Sequence, residues 1–166
     1  GIQQSRAALL VGCVQQVLDP EINWATIRVL ARNGIEIVIP KKQTCCGALQ
    51  LHTGDQETAR TFARQNLRFF PADVDVILTN AAGCGSGMKE YPLLFKGEPE
   101  EDQAVAFAKK VKDISEYLAE LELRPTPPLA KSIKAAYHDA CHLAHAQGIS
   151  LEPRKLLGKI PNLTLV

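Results

Sequence analysis

Three short runs constrain the fold of this chain most: Arg6-Ala-Ala-Leu-Leu-Val-Gly12, Val74-Asp-Val-Ile-Leu-Thr79 and Ile133-Lys-Ala-Ala-Tyr-His138. The first has the profile of a strand buried on both faces, which only a covered sheet can accommodate. Ile35-Glu-Ile-Val-Ile39, stopped by Pro40, reads as another strand, and a last one falls around Leu163 to Val166. Helical stretches separate them. Asn23 to Asn33 closes on Asn33-Gly34, Asp55 to Phe70 has mixed polarity, and Met88 to Phe95 is short. The acidic patch Glu98 to Asp102 opens a helix whose later residues, Lys109, Lys110 and Lys112, suit the negative end of its dipole. Ile114 to Leu123 and Pro153 to Ile160 complete the set. Strands alternating with helices mean βαβ units, hence an α/β fold with a mainly parallel sheet and flanking helices.

In such sheets ligands sit outside the carboxyl ends of the strands. Cys13, Cys84 and Cys141 each lie just past a strand, and Cys45-Cys46-Gly47 lies in the loop after one. Sequence-distant thiols are therefore expected along one rim. An odd count of five cysteines, without a signal peptide, argues against a disulfide framework and for metal ligation or thiol chemistry. Three loops supplying four thiolates suit a soft metal or an iron–sulfur cluster. Gly47, and Gly83 and Gly85 on either side of Cys84, leave room for backbone N–H groups to approach inorganic sulfide.

The other classes are narrowed by composition. Nineteen basic and eighteen acidic residues give a net charge of +1, so no nucleic-acid partner is expected. The uncharged run Val76 to Met88 is too short for a transmembrane segment. Zinc is an alternative occupant, held in an interaction domain or by His138, His142 and His145 with Asp139 around Cys141. A third alternative places Cys84 at a strand–turn–helix elbow in Asn80-Ala-Ala-Gly-Cys-Gly-Ser-Gly87. With His52 or His142 as base, this would be a cysteine-nucleophile hydrolase or acyltransferase. A vicinal Cys45–Cys46 disulfide would be a strained redox switch. His52 otherwise reads as a solvated loop residue, Lys41-Lys42 as a solvated loop, and Trp24 and the phenylalanines as core.

The spacing Cys13, 31 residues, Cys45-Cys46-Gly47, 37 residues, Cys84 resembles the cysteine-rich CCG domain found in heterodisulfide reductase and related proteins. The wider text is Ala8-Leu-Leu-Val-Gly-Cys13-Val-Gln-Gln, Gln43-Thr-Cys-Cys-Gly-Ala-Leu-Gln-Leu-His52-Thr-Gly and Thr79-Asn-Ala-Ala-Gly-Cys-Gly. Within that family it is most similar to the iron–sulfur subunits of glycolate oxidase (glycolate dehydrogenase). The resemblance implies a Rossmann-like CCG fold and an electron-transfer role in an oxidoreductase. It also implies a 4Fe-4S-type cluster in the intact protein, flavin-containing partner subunits that oxidise glycolate or another 2-hydroxy acid, and no turnover by this piece alone. A cytoplasmic location follows, with peripheral attachment to the inner face of the membrane through the complex. The family pattern ends in Cys-x-x-Cys, whereas Gly85, Ser86 and Gly87 follow Cys84 here. One ligand of the full pattern is absent, which leaves a metal site of Cys13, Cys45, Cys46 and Cys84.

The family carries its repeat in tandem. Lys134-Ala-Ala-Tyr-His-Asp-Ala-Cys141 aligns with Arg6-Ala-Ala-Leu-Leu-Val-Gly-Cys13 at an offset of 128. Residues 1–124 are thus expected to form the first CCG repeat. Residues 125–166, beyond Pro125-Thr-Pro-Pro128, would begin a second repeat that is cut short and packs on the first. Cys141 would be a ligand of that incomplete second site. Gly1 reads as a boundary rather than a native start.

Overall fold

The computed structural model describes residues 5–166, so Gly1 lies outside them. In chain order the elements are β1 (Arg6–Leu10), α1 (Gln15–Leu18), α2 (Pro20–Arg32), β2 (Glu36–Val38), α3 (Ala48–His52) and α4 (Gln56–Phe69). They continue with β3 (Val76–Thr79), α5 (Ala82–Lys89), α6 (Tyr91–Leu94), α7 (Glu101–Ala108), β4 (Val111–Asp113) and α8 (Ile114–Glu120). The four strands pair in parallel in the order β2-β1-β3-β4. This is the expected α/β architecture, compatible with a Rossmann-like fold.

The two central strands explain the apolar runs. Side chains alternate across a pleat. Ala8, Leu10 and Ile77 accordingly enter one core with Met88, Tyr91, Phe95 and Phe107. Ala7, Leu9, Val76 and Leu78 enter the other with Leu30, Ile35 and Tyr117. Helix α4 buries Ala59, Ala63, Asn66 and Leu67 along one face, and its N-terminus is capped by the Asp55 carboxylate, which accepts from the Thr58 N–H.

Three expectations are corrected here. The helix expected to run through Lys112 ends at Ala108, and Val111–Asp113 instead forms the edge strand β4. Three residues are too few to show a period of two, and β4 owes its place to pairing with β3. The glycine-rich segment after Asn80 is helix α5 rather than a turn. Two of its glycines serve close approach. A Cβ on Gly87 would lie 2.7 Å from Ala48 Cβ on α3, and one on Gly85 would lie 2.7 Å from Gln147 Nε2. Trp24 is 55% exposed, because α2 turns Asn23, Thr26 and Leu30 inward and so presents Trp24 to solvent. Of the phenylalanines, Phe70, Phe95 and Phe107 are buried and Phe62 and Phe69 half-buried.

The chain continues from α8 through an exposed Pro-rich segment into β5 (Ile133–Ala135), a π-helical turn (His142–Ala146), α9 (Leu151–Gly158) and β6 (Leu163–Leu165). β5 and β6 form a separate two-stranded parallel sheet. Ile133 pairs with Leu163, thirty residues on, as Arg6 pairs with Glu36. Helix α9 packs on α8 and the π-helical turn on α5. No helix of the described residues is long and apolar enough to cross a membrane.

Candidate metal centre

The β1–β3 rim is organised by side-chain amides that complete the loop backbones. Gln43 accepts from the Val11 N–H and donates to the Leu9 carbonyl, continuing the β1 ladder where no strand does. Asn23 donates to the Val11 carbonyl at 2.8 Å and accepts from Gln15 and Asn80, while Thr26 donates to Asn80. One network thus ties the Cys13 loop to the loop that enters α5. Beneath the Cys45-Cys46 loop, the fully buried Asn66 accepts from the Thr44 N–H and donates to the Cys45 carbonyl, each at 3.0 Å. Tyr91, also buried, donates to the Cys46 carbonyl at 2.8 Å and accepts from Asn66.

These loops bring Cys13, Cys45, Cys46 and Cys84 to the lining of one cavity of about 420 Å³. The sulfurs of Cys13 and Cys45 are 3.3 Å apart, and the Gly47 N–H donates to the Cys45 sulfur at 3.4 Å. Cys46 is buried and faces Cys84. Their hydrogen bond, reinforced for Cys46 by burial, pushes the Cys46 thiol up and holds the Cys84 thiol below its ordinary value. Burial, with the contact to Cys45, raises Cys13. Cys13 and Cys45 also line a second, more polar cavity with Gln43 and Lys41, so this thiol pair separates two clefts.

The other named residues divide. Gly83 lines the cavity with open space above it, and Gly47, at φ +81°, abuts the Ala59 backbone while its N–H serves Cys45. Gly85 does not line the cavity; it lies under Gln147. His52, exposed as expected, stacks on His142 with ring centroids 5.2 Å apart, and both edge the thiol cavity. Lys41 and Lys42 are exposed, with Lys42 over the Phe69 ring.

Cys141 is exposed and lies outside the cavity lining. The histidine cluster around it is not assembled for zinc. His142 turns to His52, and both Asp139 oxygens are taken by Arg154, at 2.6 and 2.8 Å, which holds the Asp139 carboxyl below the usual range. Among the described residues, no three His, Cys, Asp or Glu side chains stand as a single ion would require. All five cysteines are free.

The elbow reading also loses its geometry. Cys84 is the third residue of an ordinary helix, and its thiol partner is Cys46 rather than an imidazole. Among non-glycine described residues only Asn162 has a positive φ, so the strained turn of a nucleophile elbow is absent at Cys84. Asn66, Asn23, Asn80, Gln43 and Tyr91 were not singled out from the sequence. The one signal for Asn66 was a polar residue within the apolar stripe Ala59, Ala63, Leu67 of α4.

Fold and site together define an α/β domain that gathers thiols from three separate loops at the carboxyl edge of a parallel sheet. The chain belongs to the cysteine-rich CCG domain family, whose profile matches residues 7–89 and 135–166. It is 40% identical over 163 residues to the probable glycolate oxidase iron-sulfur subunit of Bacillus subtilis (strain 168), covering 96% of this chain and 37% of that protein. It is 36% identical over 162 residues to the glycolate oxidase iron-sulfur subunit of Escherichia coli (strain K12), covering 92% of this chain and 38% of that one. With lactate utilization protein A of Exiguobacterium sp. it shares 34% identity, covering 96% of this chain and 66% of the relative. The chain thus spans well under half the length of the two glycolate oxidase subunits.

Proposed function

We propose that this domain belongs to the iron–sulfur electron-transfer subunit of a flavin-linked glycolate (2-hydroxy acid) dehydrogenase, passing electrons from flavin-containing subunits towards an acceptor. The observation that carries the reading is the convergence of Cys13, Cys45, Cys46 and Cys84 on one cavity. Thiolates are the ligands that iron–sulfur clusters select. Four thiols delivered by three separate loops to one open cleft suit a 4Fe-4S-type group. The relatives' names agree: two glycolate oxidase iron-sulfur subunits share 40% and 36% identity with this chain.

When bound, such a cluster supplies one-electron chemistry. The four thiols would hold it, and the Gly47 N–H, aimed at the Cys45 sulfur, would stabilise negative charge there. Gly83 keeps the cavity floor open. The apolar rim of Val14, Leu18, Ile22 and Leu49 would limit water at the site. We place the parent complex in the cytoplasm, attached peripherally to the inner membrane face through its other subunits.

Residues 125–166 read as the opening of a second CCG repeat. Support comes from the thirty-residue register shared by β1–β2 and β5–β6 and from the second stretch matched by the family profile. Cys141 then takes the place of Cys13.

Anaerobic reconstitution with iron and sulfide, followed by metal and sulfide assay and a visible spectrum, tests the reading. A brown protein with stoichiometric iron and sulfide is expected. A protein that takes up zinc and remains free of iron would overturn it.

A further inference from the structure

The Cys45-Cys46 loop has an unusual foundation. Every hydrogen-bonding group of the fully buried Asn66 carboxamide is directed at residues 44–46 or at Tyr91. Its Oδ1 accepts from the Thr44 N–H, and its Nδ2 donates to the Cys45 carbonyl and to the Tyr91 hydroxyl. Tyr91 in turn donates to the Cys46 carbonyl. Two consecutive carbonyls are therefore drawn inward, away from the thiol cavity. A trans peptide is planar, with its N–H opposite its C=O. No described peptide bond is cis. Drawing those oxygens inward must turn the N–H groups of Cys46 and Gly47 outward, and the Gly47 N–H is indeed found 3.4 Å from the Cys45 sulfur.

We infer that Asn66 and Tyr91 are positioning residues that fix the peptide dipoles behind Cys45 and Cys46 and thereby raise the reduction potential of the group those thiols hold. The inference rests on the iron–sulfur reading for its redox consequence and on the hydrogen-bond geometry alone for its structural part. Nothing in the pair touches the cavity: both act through the backbone of the ligand loop. Hydrogen bonds to cluster sulfurs are among the levers that set such potentials, because they stabilise the more negative, reduced state.

Tyr91→Phe removes the hydroxyl alone and leaves the ring packed against Phe107. In the metal-free protein, exchange of the Gly47 amide should become at least tenfold faster while the Leu78 amide in β3 keeps its protection. In the cluster-loaded protein, the reduced-to-oxidised ratio at a fixed applied potential should fall about tenfold, which for a one-electron couple corresponds to 59 mV. Val111→Ala, in the same core but remote from the loop, controls for lost stability and should move neither readout. Asn66→Thr, too short to reach the Cys45 carbonyl, must reproduce both shifts and serves if Tyr91→Phe does not fold. Unchanged Gly47 exchange in a folded variant overturns the clamp. If no cluster assembles even in the unaltered protein, the iron–sulfur reading fails, and Gly47 exchange still decides the clamp.

Discussion

The molecule contains two βαβ arrangements of the same register and very different completeness. In the first, β1 is flanked by β2 and β3, and Ala7, Ala8, Leu9 and Leu10 are buried on both faces. In the second, β5 pairs only with β6 among the described residues; Ile133 and Lys134 are exposed, and Leu163 and Leu165 are half-buried. Each places a cysteine after its first strand. Cys13 meets Cys45 at 3.3 Å, whereas Cys141 stands exposed and apart from the other four thiols. One strand–loop–helix unit therefore presents a thiol but does not build a site. The site requires the amide network and the loops after β2 and β3.

The largest effect should come from breaking that asymmetry at the thiols. Cys84→Ser is expected to abolish iron incorporation and visible colour, while Cys141→Ser leaves both unchanged, as measured by iron per chain after anaerobic reconstitution. Equal loss in the two variants would mean that the two units share one site, against the separation seen here. A Cys84→Ser protein that remained fully loaded would remove Cys84 from the ligand set.

A smaller effect separates two glycines of α5 that face the two regions. Gly87 meets Ala48 on α3, inside the first unit, whereas Gly85 meets the side chain of Gln147 from the second. Gly87→Ala forces two helix backbones apart and should cost about 1–3 kcal/mol by denaturant unfolding. Gly85→Ala meets a flexible side chain that can swing away. It forfeits chiefly the bond from Gln147 to the Ala82 carbonyl, about 1 kcal/mol, partly regained as the Gln147 Oε1, which has no partner among the described residues, reaches water. A greater loss at Gly85 than at Gly87 would show that the contact between the units, rather than the α3–α5 crossing, bears the stability.

The same contrast explains what could be read in advance. Helix α4 was legible to within a residue at each end, because Ala59, Ala63 and Leu67 repeat at helical spacing and Asp55 caps it. β1 and β3 were legible as dense apolar runs, and with them the convergence of thiols past their ends. β4 was not, since Val111-Lys-Asp113 becomes a strand only by pairing with β3, a long-range event that local pattern does not encode. Trp24 was misassigned for a related reason. Asn23 takes the inward position on α2 in order to bond Val11, so a polar residue occupies the core and an aromatic one faces solvent. The supports of the site were hidden in the same way. Asn66 and Tyr91 sit 21 and 45 residues from the carbonyls they hold, and no local spacing announces them.

The smallest expected effect concerns acid, where the two units should respond with opposite sign. Asp139 in the second unit is held below the ordinary carboxylate range chiefly by its hydrogen bonds from Arg154. A depressed folded pKa contributes stability that is fully present above the unfolded value, about 3.9, and is lost as pH falls through the folded one. Asp113, which caps α8 in the first unit, is raised above its ordinary value by burial, despite its bonds from Ser115. Protonating it on the way down from neutral pH therefore relieves a cost in the folded state. Both carboxylates act in the acid window below neutrality, yet only the second unit loses a tie. As pH falls below about 4, amide protection at Ala135 and Leu165 should fall before that at Leu9 and Leu78, once intrinsic exchange is corrected for. Asp139→Asn should flatten the difference. The salt bridge is partly exposed, so the separation will be modest and should shrink further with added salt. Simultaneous loss of protection in β5 and β1 would mean that the short sheet unfolds only with the long one, and that the second unit has no independent stability despite its matching register.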